Sequence, residues 1–193
     1  MTVFDLKRLA EQAATTTPDD LPSEHLRNLA HSVLWFHYFP YYDFLMKLAA
    51  AIQPKLIVEL GVSFGRGMAF MAEGAPSATV WGVDVCPSTP TQREVLWPYS
   101  DRVRVFHEDS VRFFLEHPEL NVDLLFIDSS HLLGQTKMEW RVWRPQMVLG
   151  GIVCFDDLNN PGVRPVWDAE IVDQKVELPE LRPDGGGFGA VIC

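Results

Sequence analysis

Short apolar runs alternate with segments of helical periodicity from residue 56 to residue 193. The first five runs are almost continuous in Val, Ile, Leu and Phe, a pattern typical of strands that are covered on both faces. The predicted strands are Leu56–Leu60, Thr79–Val85, Val103–Asp109, Val122–Asp128, Gly151–Asp157, Lys175–Leu181 and Gly187–Cys193. The predicted helices between them are Phe64–Glu73, Val111–Glu116, Leu133–Met147 and Val163–Val172.

This order of elements predicts an α/β fold with a doubly wound, mostly parallel sheet and right-handed crossovers. The last two strands leave no room for a helix between them. The sequence Arg-Pro-Asp-Gly-Gly at residues 182–186 is typical of a turn, so the final strand is predicted to run antiparallel.

Two segments with helical periodicity, residues 2–13 and 22–53, precede the sheet, and Pro40 is predicted to divide the second of them. We therefore expect an N-terminal helical segment at residues 1–53, packed on a core formed by residues 54–193. The two parts together are predicted to form one domain.

The stretch Trp35–Tyr42 is unusually rich in aromatic residues. These rings either pack the helices onto the sheet or line a substrate pocket, and the sequence leaves both interpretations open. The apolar helices of this N-terminal part are also a candidate contact for a homodimer.

Composition and charge narrow the classes of partner. The 193 residues include 16 Lys and Arg against 26 Asp and Glu, which gives a formal net charge of −10. Such an acidic chain repels phosphate backbones, so neither nucleic acid nor an anionic membrane is predicted as a partner.

The three cysteines match neither a disulfide framework nor a zinc site. With no signal-peptide pattern and no run of about 18 apolar residues, we expect a cytoplasmic protein with reduced thiols.

The most informative segment is Glu59–Gly67, which reads Glu-Leu-Gly-Val-Ser-Phe-Gly-Arg-Gly at the carboxyl end of the first strand. Glycines there allow a ligand to approach the backbone, and the following helix directs its N-terminal amides at that ligand. Asp84 ends the second strand, at a spacing suited to a carboxylate that accepts both hydroxyls of a ribose. Both features fall in the crevice beside the first strand, where open α/β sheets bind ligands.

Glu59 separates two interpretations of this glycine-rich turn. An acid two residues before the first glycine would repel the pyrophosphate of a dinucleotide, whereas it suits the cationic sulfonium and the amino group of a methionine-derived cofactor. Without a lysine to close the loop, a phosphate-binding P-loop is excluded as well.

On these motifs the chain resembles the class I S-adenosylmethionine (SAM)-dependent methyltransferases over roughly residues 30–193. The resemblance implies a Rossmann-like, seven-stranded sheet of order 3-2-1-4-5-7-6. It also implies cofactor-binding roles for Glu59, Gly61, Ser63 and Gly65 at the methionine end, for Asp84 at the ribose, and for Asp109 and Ser110 at the adenine. For Asp84 and Asp109 the alternative is an acid that merely caps the turn after its strand.

Three acids end the fourth and fifth strands: Asp128, Asp156 and Asp157. If these strands are neighbours, their carboxylates converge and repel one another unless a cation is bound or their pKa values rise. Oxygen ligands of this kind suit Mg²⁺, or less well Ca²⁺ or Mn²⁺, and such an ion would lower the pKa of a substrate hydroxyl.

The region from Asp123 to Asp157 resembles a subgroup that includes antibiotic-tailoring and sugar O-methyltransferases, which place metal-binding acids at these three positions. Many relatives carry a second acid, a candidate general base, where this chain has Ser130. His131 follows it and becomes the candidate base, with a structural hydrogen-bonding role as the alternative. Asp128 and His131 are thus the predicted catalytic residues.

The leading hypothesis is metal-assisted transfer of a methyl group from SAM to a hydroxyl of a small molecule. A second hypothesis is metal-free transfer in which His131 deprotonates the acceptor. A non-catalytic SAM-binding module and a nicotinamide-dependent dehydrogenase are the remaining alternatives, because fold alone does not decide function.

Overall fold

The computed structural model describes residues 1–31 and 40–193 and contains one seven-stranded sheet. Its strands are β1 (Leu56–Leu60), β2 (Thr79–Asp84), β3 (Val103–His107), β4 (Val122–Ile127), β5 (Met147–Asp156), β6 (Gln174–Glu177) and β7 (Phe188–Ile192). The strand order is β3-β2-β1-β4-β5-β7-β6, and β7 runs antiparallel to both of its neighbours. The predicted Rossmann-like sheet and its order are confirmed.

The described residues contain helices on both faces of this sheet. They are α1 (Val3–Ala14), α2 (Glu24–His31), α3 (Pro40–Ile52), α4 (Arg66–Gly74), α5 (Pro90–Leu96), α6 (Ser110–Glu116), α7 (Leu133–Trp143) and α8 (Arg164–Ala169). Short 3₁₀ helices lie at Pro18–Asp20, Trp97–Tyr99, Arg144–Gln146 and Pro179–Leu181. In the part of the chain that the structure describes, no helix combines the length and apolar character needed to cross a membrane.

Alternate residues of each central strand enter two separate apolar cores. Ile57 and Phe126 point to the side covered by α1 to α5, and Val58 and Leu125 point to the side covered by α6 to α8. Burial on both faces explains why these strands read as continuous apolar runs rather than as alternating ones. The indole of Trp143 fills the second core without any exposed surface.

The structure corrects several predicted boundaries. The helix predicted to reach Met147 ends at Trp143, because Pro145 interrupts the helical hydrogen bonds, and Met147 already belongs to β5. The sequence predicted that this strand begins at Gly151, because Gly150 and Gly151 interrupt the apolar run that starts at Met147. Helix α5 was not predicted, because its sequence is mostly polar and offers only Val95 and Leu96 as large apolar residues.

The N-terminal helices pack on the sheet. Side chains such as Leu6 of α1 and Phe44 of α3 share one buried core with Ile57 of β1. Within the aromatic stretch, Trp35–Phe39 lie outside the described residues, whereas Tyr41 is buried and stacks on Phe188 with 5.5 Å between ring centroids. The division at residue 53 and the homodimer contact stay predictions.

Gly74, the last residue of α4, lies where α4 packs against α3. A Cβ atom there would collide with the backbone carbonyl of Met46, so Gly74→Ala should lower the free energy of unfolding by about 1–3 kcal/mol. Gly134→Ala is the matched control, because nothing lies within 4 Å of the added methyl group in α7. It should stabilise by up to about 1 kcal/mol. Equal urea midpoints for the two variants would contradict this packing.

Candidate active site

The bend after β1 packs directly against the end of β4. Gly61 has a φ of +86°, and a Cβ atom on it would collide with the Asp128 carbonyl oxygen and lie 2.7 Å from the Ser129 Cα. The bend is held by the Gly61 amide, which donates to the Val83 carbonyl at 2.9 Å. Only glycine allows both the left-handed backbone and this close approach.

Asp84 anchors the same bend from the end of β2. Its Oδ2 accepts hydrogen bonds from the amides of Val62 (2.8 Å) and Ser63 (2.9 Å), and its Oδ1 accepts one from Cys86 (2.8 Å). This is the turn-capping role considered as the alternative for Asp84. The role leaves the residue in the crevice, because a carboxylate oxygen accepts more than one hydrogen bond.

Glu59 is almost fully buried, with 2% of its surface exposed. Burial raises the pKa of its carboxyl well above the usual value, and the charges of Asp128 and Asp84 raise it further. A Cβ atom on Gly67 would lie 2.6 Å from Glu59 Oε2, so the glycine makes room for this carboxylate. Glu59 Oε2 has no hydrogen-bond partner among the described residues, which is a costly state for a buried acid.

A first cavity of about 440 Å³ opens beside β1 and β2. Residues from the bend, the ends of three strands and helix α7 line it: Gly61, Ser63, Val83, Asp84, Val85, Glu108, Asp109, Ser110, Asp128, Ser129, Ser130, Gln135 and Glu139. The sequence-predicted residues Gly61, Ser63, Asp84, Asp109 and Ser110 therefore meet in one cavity. Asp109 also caps α6, where its Oδ1 accepts from the amides of Val111 and Arg112.

Glu139 of α7 is a residue of this cavity that sequence reasoning missed. Its two carboxylate oxygens accept hydrogen bonds from the hydroxyls of Ser110 (2.6 Å) and Ser129 (2.7 Å), and Gln135 Nε2 donates to it at 3.1 Å. Burial raises the pKa of Glu139, although these hydrogen bonds act against the rise. A signal was present, because Glu139 lies on the helical face of the buried residues Thr136, Trp140 and Trp143.

A second cavity of about 310 Å³ adjoins the first one. Its walls come from α3, the glycine bend, the end of β5 and the turn before β7: Tyr41, Tyr42, Glu59, Val62, Ser63, Phe64, Arg66, Gly67, Asp128, Asp156, Asp157, Arg182 and Asp184. Ser63 and Asp128 line both cavities. The two spaces thus meet at the end of β4.

Arg66, the first residue of α4, places a guanidinium in this second cavity, opposite in charge to Glu59. Its Nε atom is buried and has no hydrogen-bond partner among the described residues. The cavity is therefore lined by an acid and a cation, each with one buried atom that has no hydrogen-bond partner among the described residues. Such a pair fits a zwitterion, in which Glu59 binds the ammonium group and Arg66 the carboxylate.

The predicted catalytic residues lie side by side. His131 Nε2 is 3.4 Å from Asp128 Oδ1, and His131 Nδ1 is 3.6 Å from Asp157 Oδ2. Burial lowers the pKa of His131, but the Asp128 and Asp157 carboxylates outweigh it and raise the pKa overall. Asp128 lines both cavities, whereas His131 lines neither of them. The histidine therefore lies behind the aspartate.

Protein side chains already contact the three acids proposed as metal ligands: Arg182 pairs with two of them, and His131 lies beside Asp128 and Asp157. Arg182, with 9% of its side chain exposed, pairs with Asp156 through Nη1 and with Asp157 through Nη2 at 2.8 Å. No group of three His, Cys, Asp or Glu side chains in the described ranges is arranged to hold a metal ion. As arranged, Asp128, Asp156 and Asp157 do not fit a divalent ion, and the predicted Mg²⁺ site is not confirmed.

Backbone strain is concentrated at these loops. Four non-glycine residues in the described chain have a left-handed φ, and three of them, Ser63 (+48°), His131 (+54°) and Asp157 (+52°), follow β1, β4 and β5 at the site. Each such conformation is unfavourable by on the order of 1–3 kcal/mol and persists only where surrounding contacts enforce it. This clustering supports a functional role for the carboxyl edge of the sheet.

Known structures share this fold. CalS11, described as a TDP-rhamnose 3'-O-methyltransferase of calicheamicin biosynthesis, is 22% identical with a TM-score of 0.64, over 98% of this chain and 93% of the other. An O-methyltransferase from Bacillus cereus in complex with S-adenosylhomocysteine (SAH) is 18% identical with a TM-score of 0.65, over 100% and 92%. MycE, in complex with Mg, SAH and mycinamycin VI, is 18% identical with a TM-score of 0.51, over 85% and 39%.

The fold and the acid-fronted glycine bend together define a class I SAM-dependent methyltransferase. Residues 58–158 match the family model described as "Methyltransferase domain", and the chain belongs to this family. The matched region runs from β1 to the end of β5 and contains Glu59, Asp84 and all three acids at the ends of β4 and β5.

Proposed function

We propose that this protein transfers the methyl group of SAM to a hydroxyl group of a small molecule. The observation that carries the proposal is the junction of two cavities at Ser63 and Asp128. One cavity has the size and the ribose-facing acid for an adenosine, and the other has the opposite charges for an amino acid and further space for an acceptor. The O-methyltransferase names of CalS11 and the Bacillus cereus protein support a hydroxyl as the acceptor group.

In this proposal the adenosine lies in the first cavity, with Asp84 at the ribose and Asp109 and Ser110 near the adenine. Gly61 lines the same cavity, whereas the predicted Gly65 lines neither cavity and lies against the Leu96 side chain, so no ligand contact is proposed for it. The amino-acid end lies between Glu59 and Arg66, where the unsatisfied carboxylate and guanidinium gain partners. The reacting centre then falls at the junction beside Asp128.

When bound, SAM supplies a methyl group on a cationic sulfur, and its transfer to a hydroxyl releases one proton that the protein must take up. Asp128 is the carboxylate that lines both cavities among the described residues, and burial raises its pKa although His131 acts against the rise. We propose that Asp128 accepts the proton and that His131 behind it positions and charge-balances the carboxylate. The predicted base is thereby assigned to the pair rather than to His131 alone.

The proposal predicts the product of the reaction. SAM labelled in its methyl group, incubated with a panel of nucleotide-activated sugars and other hydroxylated small molecules, should yield SAH and a methyl ether detectable by mass spectrometry. Deoxy analogues that lack the acceptor hydroxyl are the matched controls. A methyl group on nitrogen, sulfur or carbon would refute O-methylation, and SAH binding without any turnover would favour a binding module.

Arg66→Met should weaken binding of SAH by about 10-fold or more, because a charged hydrogen-bond partner of its carboxylate is lost. Adenosine, which lacks the amino-acid end, should bind as it does to the unmodified protein, as measured by calorimetry. Arg93→Met is the control, since Arg93 is exposed on α5, its guanidinium donates to the Ser88 carbonyl, and it lines neither cavity. An equal loss of affinity for adenosine would contradict a contact between Arg66 and the amino-acid end of the cofactor.

His131→Gln should reduce kcat by about 10²-fold while the Kd for SAH stays unchanged, because the change removes the partner of the proton acceptor and not a cofactor contact. His117→Gln is the control: His117 stacks on Phe113 with 4.2 Å between ring centroids and lines neither cavity. A near-normal kcat for His131→Gln would limit this histidine to a structural role.

A further inference from the structure

Arg182 lies in the short connection between β6 and β7, directly after the 3₁₀ helix Pro179–Leu181. It is one of the most buried charged side chains at the site. The connection carries it over the carboxyl edge of the sheet, where β5 ends in Asp156 and Asp157. No pattern in the sequence marks this arginine, since Pro and Gly residues around it indicate only a turn.

The guanidinium of Arg182 is held from several sides. Its Nε and Nη2 atoms donate to the two oxygens of Asp184, both at 2.9 Å, in a bidentate arrangement. Nη1 pairs with Asp156, Nη2 pairs with Asp157 at 2.8 Å, and the ring of Tyr41 lies 5.8 Å from the guanidinium carbon. A planar cation in contact with three carboxylates and an aromatic face has a fixed position.

Gly186 makes room for this arrangement. A Cβ atom on Gly186 would collide with Arg182 Nη2 and would lie 2.7 Å from Asp157 Oδ1. Gly186 is needed here because it has no side chain, which lets the backbone pass over the ion pair between Arg182 and Asp157. The local backbone is therefore built around the contact between the arginine and the aspartate.

Most of the oxygens that a divalent ion would use already face a protein nitrogen. Arg182 contacts one oxygen each of Asp156 and Asp157, and His131 lies 3.4 Å from Asp128 Oδ1 and 3.6 Å from Asp157 Oδ2. A divalent ion ligated by the same acids would need oxygen distances of roughly 2.0–2.6 Å and would lie against the positive guanidinium. Ion and arginine cannot occupy this place together.

We infer that the guanidinium of Arg182 takes the place of the divalent cation that these acids would otherwise bind, so that the transfer proceeds without a metal ion. Arg182 also lines the second cavity, where the acceptor is proposed to bind. A fixed positive charge there stabilises the acceptor oxygen as its proton leaves. The stabilisation of the acceptor oxygen rests on the proposed function, whereas the exclusion of the metal ion does not.

The test measures ion binding separately from turnover. Mn²⁺ is titrated into the unmodified protein and into Arg182→Gln, and the signal of free Mn²⁺ is followed by electron paramagnetic resonance. The unmodified protein should leave the signal as it is in buffer, and Arg182→Gln should take up about one ion per chain, as expected for a vacated oxygen site. Arg182→Lys keeps the charge and should exclude Mn²⁺. Arg164→Gln, which breaks an ion pair with Glu177 outside both cavities, is the matched control and should also exclude it.

Turnover gives the second readout. EDTA should not change the rate of the unmodified protein, and Arg182→Gln should lose on the order of 10²-fold in kcat, with Mg²⁺ restoring part of the loss. Uptake of Mn²⁺ by the unmodified protein, or loss of activity on chelation that Mg²⁺ reverses, would overturn the inference. So would a folded Arg182→Gln that takes up no Mn²⁺. If circular dichroism shows that this variant does not fold, the unmodified protein and Arg182→Lys decide the question.

Discussion

The close contact between the bend after β1 and the end of β4 is the constraint on which the site depends. Because Gly61 lies against the Asp128 carbonyl, Asp128 is held where the two cavities meet, and Glu59, two residues before Gly61, lines the second cavity. Asp84 fixes the bend from the end of β2 by accepting hydrogen bonds from two of its amides, those of Val62 and Ser63. A rigid backbone here matters more than any single side chain, since it sets the distances between all the charged groups.

Much of the fold could be predicted because burial on both faces leaves a direct trace in the sequence. The five central strands are continuous apolar runs, and parallel strands must present their carboxyl ends at one edge. For the same reason Asp84 and Asp128 could be placed near one cleft without coordinates. Elements without such a trace were not predicted: α5 is mostly polar, and the apolar run at the start of β5 is interrupted by glycines.

The less predictable parts of the site are those whose partners are distant in sequence. Arg182 meets Asp156 across 26 residues, and the turn that carries it gives no sign of its direction. Asp128, Asp156 and Asp157 suggest a metal site when Arg182 is left out of account. With Arg182 included, two of these acids already pair with a cation from the protein. His131 is similar, because its left-handed backbone turns the ring behind Asp128 rather than into a cavity. Spacing along the chain predicts which groups gather but not which of them pair.

The path of the chain around Arg182 links the centre of the molecule to its margin. Arg182 lies in the connection that follows β6, a strand at one edge of the sheet, whereas the aspartates with which it pairs lie at the end of the interior strand β5. Strands at a margin open more readily than interior ones. Fraying of β6 would therefore move Arg182 away from mutually repelling acids at the carboxyl edge of the sheet, so that loosening of the sheet margin also removes charge compensation from its interior.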